Sequence, residues 1–472
     1  MSKPFAIGLG ALALAPRLYT ALAWARAPVW DGELYARAAR HVAAGWGYGH
    51  VAAGPEGVGF EPACHYPVGY PGLLGLVYRL FGDGERVAPL FGAFVGAALA
   101  VVTYALARRA TSERRARVAG VLVAVHPGLV AYAPVVMTEP VAALFVALGA
   151  WLVARHRGGE SRGRTRLAGV VAAGLAIGLG TLVRPATLWC APALGLFELD
   201  GEPRTRRRAL ATAALASTVA LATVVPWTVR NCVVMDGCAV VSANAGWNLA
   251  IGAMPRATGR YEPLRPGDGC GADGGEVALD RCWARTALAW IAADPGRWLA
   301  LAPKKLHETF DHESFPIGYL AVASPQAWPE PRARLAKTWL GTWHRLLLVG
   351  AALGLVHSPF GRSPGPSRLR RLLPLLLVLG LAALGTLLPS HPFWPLALAI
   401  PVLAGLSLRG AHTRGAALRR FAGWAVLGVC VVHVIFFGED RYHVVVSPLL
   451  CLLAALALER REPAASCART DR

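Results

Sequence analysis

Apolar runs with few charges recur along the chain at 5–25, 87–107, 118–136, 138–154, 167–183, 185–198, 209–228, 342–357, 372–389, 393–408, 421–437 and 443–458. A helix of ~20 apolar residues crosses the hydrocarbon layer of a bilayer. The pattern therefore predicts an all-α polytopic membrane protein with about twelve transmembrane helices, within a range of roughly 11–13. Two runs, 138–154 and 185–198, are short for a full crossing, and a re-entrant hairpin over 167–198 would leave both its flanks on one side. The long run 372–408 is interrupted at Pro389-Ser390-His391-Pro392, which divides it into two helices joined by an external turn. The first run follows Lys3 and has small residues near Ala21 and Ala23, as a signal peptide does. The polytopic pattern continues directly after it, so it is read as the first span.

Charge gives the spans a direction. Arginine clusters at 108–117, 155–166, 200–208, 361–371, 409–420 and from 459 onward, together with Lys3, hold 27 of the 48 lysines and arginines. Alternating spans put all of these on one side, which the positive-inside rule makes the cytoplasm, with both termini there. Two long segments, 26–86 and 229–341, then lie outside and are expected to carry membrane-surface helices. Segment 287–310, with Trp290, Trp298, Lys304 and Lys305, reads as one amphipathic helix. The implied organisation is an N-terminal transmembrane catalytic module over 1–228 that includes the loop 26–86. An external loop follows over 229–341, then C-terminal transmembrane helices and a short cytoplasmic tail over 342–472.

Composition agrees with this and excludes other classes. The chain is 55% hydrophobic and 16% charged, against about 25% charged in soluble proteins. Its net charge of +20 follows the cytoplasmic loops rather than one aromatic-studded face, so no nucleic-acid partner is expected. Cys232, Cys238, Cys270 and Cys282 fall in the second external segment, where an oxidising compartment favours two disulfides with three possible connectivities. Local pairing, Cys232 with Cys238 and Cys270 with Cys282, is expected, with four free thiols as the alternative. Cys64 is unpaired, and Cys190, Cys430 and Cys451 read as packing residues. No Cys or His spacing makes a zinc motif, and no P-loop, dinucleotide fingerprint, G-x-S-x-G or H-E-x-x-H occurs. Sugar chemistry at the outer face would therefore need a donor without a nucleotide, and a polyprenyl-phosphate-linked sugar meets that condition.

The candidate chemistry lies where charges meet span ends. Asp31 and Glu33 follow the first span at once. A carboxylate there, raised in pKa by partial burial, suits proton acceptance from an alcohol or amine, and Asp31 equally suits a solvated helix start. Glu139, in Met137-Thr138-Glu139-Pro140, either begins a helix or places a carboxylate at the membrane surface facing the first loop. Arg184, Arg230 and Arg441 flank spans on the external side, against the positive-inside tendency. A lipid phosphate is their natural partner, and snorkelling or pairing with local acids is the blander one. Arg17 lies inside the first span, where pairing with Asp31 or Glu139 would offset its burial. The turn Tyr66-Pro67-Val68-Gly69-Tyr70-Pro71 suits a sugar pocket or an interfacial aromatic belt.

These strings, in order, resemble the C-type superfamily of polytopic membrane glycosyltransferases, specifically family 39 with its bacterial protein O-mannosyltransferase and lipid A aminoarabinose transferase relatives. The likeness rests on Arg17, Asp31-Gly32-Glu33-Leu34-Tyr35, Gly45-Trp46-Gly47-Tyr48, Tyr66 to Pro71, Met137 to Pro140, Thr181-Leu182-Val183-Arg184-Pro185, Pro226-Trp227-Thr228-Val229-Arg230-Asn231 and Arg441-Tyr442-His443. Where the family often has adjacent Asp-Glu, this chain has a glycine between the two acids. The resemblance implies inverting transfer of a sugar from a polyprenyl phosphate to a protein, lipid or cell-envelope glycan, at the outer face of a bacterial cytoplasmic (inner) membrane. Asp31 would be the general base, assisted by Glu139 and, less directly, Glu33. Arg230 first, then Arg441 and Arg184, would hold the lipid phosphate. Tyr35, His65, Tyr66, Tyr70 and Asn231 would line the sugar or acceptor site. No cofactor is implied beyond a divalent cation that Asp31 and Glu139 would share if one is used. The competing readings are a transporter or lipid flippase that uses the same charges as a path, and an assembly protein without chemistry.

Overall fold

The computed structural model describes residues 3–54, 57–156, 163–199, 203–271, 274–357, 368–406 and 414–458. The basic stretches 361–367 and 459–472, with parts of those at 155–166, 200–208 and 409–420, lie outside the described residues. In chain order the helices are α1 (Lys3–Ala23), α2 (Asp31–Ala43), α3 (Gly69–Phe81), α4 (Val87–Ala110), α5 (Glu113–Val125), α6 (Pro127–Ala131), α7 (Glu139–Ala154), α8 (Gly163–Val183), α9 (Cys190–Ala193) and α10 (Pro203–Val234). They continue as α11 (Ala245–Ala253), α12 (Glu276–Ala293), α13 (Pro295–Ala300), α14 (Ala302–Phe310), α15 (Phe315–Ala323), α16 (Glu330–His357), α17 (Arg368–Leu387), α18 (Trp394–Leu406), α19 (Arg414–Ile435) and α20 (Ser447–Ala455).

Among the described residues, six helices are long and apolar enough to cross a membrane: α1, α4, α8, α10, α16 and α19. Four shorter apolar ones lie over Glu139–Ala154, Leu372–Leu387, Trp394–Leu406 and Ser447–Leu458. Large apolar side chains on their outer faces, among them Ile7, Leu210, Leu346 and Leu376, are exposed. Such a surface suits lipid rather than water.

Two expected spans are not continuous helices. The run 118–136 breaks at His126, whose extended backbone precedes Pro127. A proline disfavours helical geometry in the residue before it. The run 185–198 is a 3₁₀ turn, the four-residue α9 and a second 3₁₀ turn, with Pro185 and Pro192 preventing a regular ladder. The interrupted run 372–408 does form two helices, α17 and α18, on either side of Pro389–Pro392. Segment 287–310 is three pieces rather than one helix, because Pro295 and Pro303 each start a new one. Lys305, expected at an exposed surface, is fully buried, and its ammonium donates to the Val434 carbonyl at 3.0 Å. The all-α expectation misses one element, an antiparallel hairpin of β1 (Gly49–Gly54) and β2 (Gly57–Pro62), registered Gly49 to Pro62.

Cys232 pairs with Cys238 and Cys270 with Cys282, the local connectivity expected. Arg17 is buried but pairs with no acid. Its guanidinium donates to the carbonyls of Ala13, Val123 and Ala124 at 2.7–2.9 Å. The break after Val125 leaves those last carbonyls of α5 without helical partners, and the arginine supplies them.

Candidate functional site

The chain reaches Asp31 through a left-handed Trp30 (φ 51°), a costly conformation for an aromatic residue. Trp30 is held there by packing on Phe315 and Tyr319. Asp31 and Glu33 then open α2, but the glycine between them sits where nothing larger fits. A methyl group at Gly32 would overlap the Tyr319 hydroxyl and lie 2.8 Å from the Val136 carbonyl oxygen. With Gly32 pressed inward, Asp31 turns to the interior of the mouth and Glu33 is exposed to the outside.

Both Asp31 oxygens are engaged. Arg441 Nη1 donates to Oδ2 at 2.7 Å and the Tyr66 hydroxyl donates to Oδ1 at 2.9 Å. Burial alone would raise the Asp31 pKa, but the charge and hydrogen bond of Arg441, with the Tyr66 bond, outweigh it and hold the carboxyl below the ordinary aspartate value. This corrects the expectation of a raised pKa: the group is a carboxylate at neutral pH. Glu139, fully buried at the start of α7, accepts from Arg184 Nη1 at 2.6 Å and lies 3.9 Å from Arg441 Nε. Arg184 also donates to Thr138 Oγ1 at 2.9 Å. Arg441 Nε lies 2.5 Å from Glu439 Oε2, although neither atom makes an aligned hydrogen bond. Burial, opposed by Arg441, pushes the Glu439 carboxyl up to about 7. Arg441 and Arg184 thus face Asp31, Glu139 and Glu439, with Tyr442 stacked under both guanidinium groups at 5.2 Å.

This cluster heads a cavity of about 390 Å³. Asp31, Tyr35, Tyr66, Thr138, Arg184 and Arg441 line it together with the apolar Val183, Pro185, Leu188, Leu221, Val432 and Phe436, and Ser242, Asn244, Asn248 and His433 add further polar groups. An open apolar hollow of about 430 Å³ shares Pro185, Leu188, Leu221 and Val432 with it, so the apolar wall continues to the outer face of the helices. On the far side of Tyr35 and Tyr66 lies a separate cavity of about 310 Å³, lined by Arg37, His50, His65 and Glu276 among others. The arrangement suits an amphiphile with an anionic head in the first cavity and a polar molecule in the second, on either side of one tyrosine wall.

The other expected residues are dispersed. Tyr35 and Tyr66 line both cavities, and His65 lines only the second, held by the Ala243 carbonyl and packed on Tyr66 and Trp247. Tyr70 is buried against Tyr35 and lines neither of these cavities. Arg230 also stands apart: it donates to the carbonyls of Ala63 at 2.8 Å and Tyr48 at 2.7 Å and stacks on Trp227. Asn231 is buried beside it and donates to the Ala239 carbonyl. Arg230 braces the 26–86 segment, whose backbone carbonyls face it, whereas Asn231 holds the turn around Ala239 and accepts from Arg230 Nη1 at 3.1 Å. A cation shared by Asp31 and Glu139 does not fit this geometry either, since the guanidinium of Arg441 already stands between the two acids. Sequence reasoning passed over His433, which stacks on Tyr442 at 3.9 Å in the cavity wall, and Glu439. A histidine inside an apolar span was the available signal for the first.

The family model described as dolichyl-phosphate-mannose-protein mannosyltransferase matches residues 65–229, which is 165 of the 472 residues. No curated protein sequence matches the chain. Solved structures with a similar course include an Archaeoglobus fulgidus oligosaccharyltransferase tethered to an acceptor peptide, at 14% identity and TM-score 0.43, over 96% of this chain and 49% of that one. Another is AglB of the same organism with an inhibitory peptide and a dolichol-phosphate, at 16% and 0.42, over 96% and 50%. A third is ArnT from Cupriavidus metallidurans bound to undecaprenyl phosphate, at 17% and 0.41, over 95% and 78%. The chain spans about half the length of the archaeal enzymes.

Proposed function

We propose that the chain is an inverting glycosyltransferase that moves a sugar from a polyprenyl-phosphate donor to an acceptor at the external face of a bacterial cytoplasmic membrane, with both termini in the cytoplasm. One observation carries the reading: a carboxylate and two arginines line the same cavity as a set of apolar residues, and Pro185, Leu188, Leu221 and Val432 of that set also line an open apolar hollow beside it. A prenyl chain fits the apolar wall and its phosphate fits Arg184 and Arg441. The match of residues 65–229 to the family model described as dolichyl-phosphate-mannose-protein mannosyltransferase supports that donor.

In this reading the acceptor approaches past Tyr35 and Tyr66, from the cavity that holds Arg37 and His65. Each Asp31 oxygen keeps a free lone pair beside the bonds from Arg441 and Tyr66, so the carboxylate orients the acceptor hydroxyl or amine and takes its proton. The acceptor oxygen or nitrogen attacks the anomeric carbon as the bond to the phosphate oxygen breaks, and the lipid phosphate leaves with the electron pair. Arg441 has two roles. As charge grows on the leaving phosphate, the guanidinium is drawn toward it, and Asp31, losing that support, becomes a stronger base at the moment a base is needed. Glu139 keeps Arg184 in place. Glu33, Tyr70, Arg230 and Asn231 act at most through the scaffold.

The test is release of free polyprenyl phosphate, by mass spectrometry, from a panel of polyprenyl-phosphate sugars given to the protein in nanodiscs with envelope extract. Asp31→Asn is expected to lower release by about 10²–10⁴-fold. Wild-type release by a correctly inserted Asp31→Asn protein would refute the role of the base. No release by the wild type from any donor would shift the reading to transport.

A further inference from the structure

Glu313, His344 and His443 lie apart from this site, at the head of α15, in α16 and in the 3₁₀ turn Asp440–Val445. They are 1%, 0% and 0% exposed. Their ligand-capable atoms, one from each residue, all lie within 4.8 Å of one another.

Their protonation follows from their outer partners. His443 Nδ1 is 2.7 Å from the Thr309 carbonyl oxygen, and His344 Nε2 is 3.0 Å from that of Phe310. A carbonyl oxygen only accepts, so each of these ring nitrogens carries the hydrogen, and in a neutral imidazole the other nitrogen presents a bare lone pair. Those other nitrogens, His443 Nε2 and His344 Nδ1, have no hydrogen-bond partner, and neither has Glu313 Oε2. His443 Nε2 lies 3.7 Å from Glu313 Oε2, and the two imidazoles stack at 3.7 Å between centroids.

With neutral rings and a carboxylate, three electron-pair donors would be buried together without a hydrogen between them, which is costly. His126 is buried nearby; its Nδ1 accepts from the Leu129 N–H, which leaves the hydrogen of the neutral ring on Nε2, and that nitrogen makes no hydrogen bond to any of the three or to any other group among the described residues. A single shared proton satisfies two of the three atoms; one cation satisfies all of them. The fold also makes room for the carboxylate, because a methyl group at Gly128 would fall on Glu313 Oε1.

We propose that Glu313, His344 and His443 bind a divalent transition-metal ion, with Zn²⁺ the best match to two imidazoles and one carboxylate. The carbonyls of Thr309 and Phe310 fix the ligand tautomers, as outer partners of metal-bound histidines do. The ion joins the 311–314 loop to α16 and to the turn that carries Arg441, two residues from His443. Its role is positional: it fixes the base of the arginine that reaches Asp31. The site is independent of the sugar-transfer reading, and its test does not use activity.

The full chain, carrying a tag without histidines, is purified without chelator, incubated with Zn²⁺, dialysed and analysed for metal by mass spectrometry. About one ion per chain is expected, falling at least ~10-fold in Glu313→Gln and in His443→Gln. The wild type is also melted with and without 1,10-phenanthroline, so a variant that fails to fold does not decide the matter. Chelation should lower the melting temperature and added Zn²⁺ restore it, because an ion bound to the folded state stabilises that state by mass action. Metal well below one ion per chain with a melting temperature insensitive to chelator would overturn the proposal and leave a water molecule or a shared proton among the three groups. Equal metal in wild type and in a folded Glu313→Gln/His443→Gln protein would overturn it as well.

Discussion

Removing Arg184 tests the electrostatics of the mouth without any assumption about substrate. Glu139 is fully buried, one of its oxygens is already without a partner, and the other takes its hydrogen bond from Arg184 at 2.6 Å. In Arg184→Gln the nearest remaining cation is Arg441, whose Nε is 3.9 Å away and out of hydrogen-bond alignment. Breaking a buried ion pair by deleting one member costs about 3–5 kcal/mol. The residual field of Arg441 is of the order of a few kcal/mol at that distance and an effective dielectric constant near 20, which places the expected loss near the lower end, about 3 kcal/mol. Removing both charges together, in Glu139→Gln/Arg184→Gln, leaves two neutral amides in similar volume and should cost less than the arginine change alone. The assay is a double-mutant cycle on apparent melting temperature in one detergent, where about 3 kcal/mol corresponds to a fall of roughly 3–6 °C in a chain this large. If Arg184→Gln melts no lower than the double variant, the pair does not carry the energy assigned to it.

Arg441→Gln should change the pH profile of transfer rather than only its height. With Arg441 present, the Asp31 carboxyl is held below its ordinary value, so the carboxylate persists to lower pH than that of an ordinary aspartate. Without it, burial is opposed only by the Tyr66 hydrogen bond and the nearby His65, so that pKa rises and the acid limb of kcat/KM should move to higher pH; an unmoved limb would refute the coupling. Arg230→Gln should lower thermal stability by about 1–2 kcal/mol through its lost bonds to the Ala63 and Tyr48 carbonyls. Its donor KM should stay near wild type, and a large rise in that KM would return Arg230 to the phosphate site.

Elements defined by a local pattern were legible in the sequence, and those defined by distant backbone were not. The continuous apolar runs of α1, α4, α8, α10 and α19 announced themselves, as did the split at Pro389–Pro392. The break at His126 was also written there as a proline, but the hydrophobicity around it masked it. Arg17 stands out in the sequence for the cost of burying it, which points to an acid as partner, whereas its acceptors include carbonyls that the same break exposes. Asp31, Arg184 and Arg441 stood out as charges at span ends, and the structure brings all three to one cavity. Arg230 stood out for the same reason and is used for bracing, a difference that only the fold of the first loop decides. Glu313, His344 and His443 share no motif spacing, because three separate elements supply them.

The pair of Asp31 and Arg441 is separated by 410 positions in the chain. Synthesis proceeds from the N-terminus, so Asp31, Glu139 and Arg184 are all made long before Arg441. Until the last helices are inserted, Asp31 has no guanidinium from Arg441, and the turn at 440–445 cannot yet close over α14 and α16. The earlier part of the protein therefore has Arg184 available for Glu139 while Asp31 waits, and the residue that holds the Asp31 carboxylate arrives almost last. An interrupted or prematurely terminated chain would have the apolar cavity wall of α8 and α10 but not the groups that complete its head, and would be inert by construction rather than by misfolding.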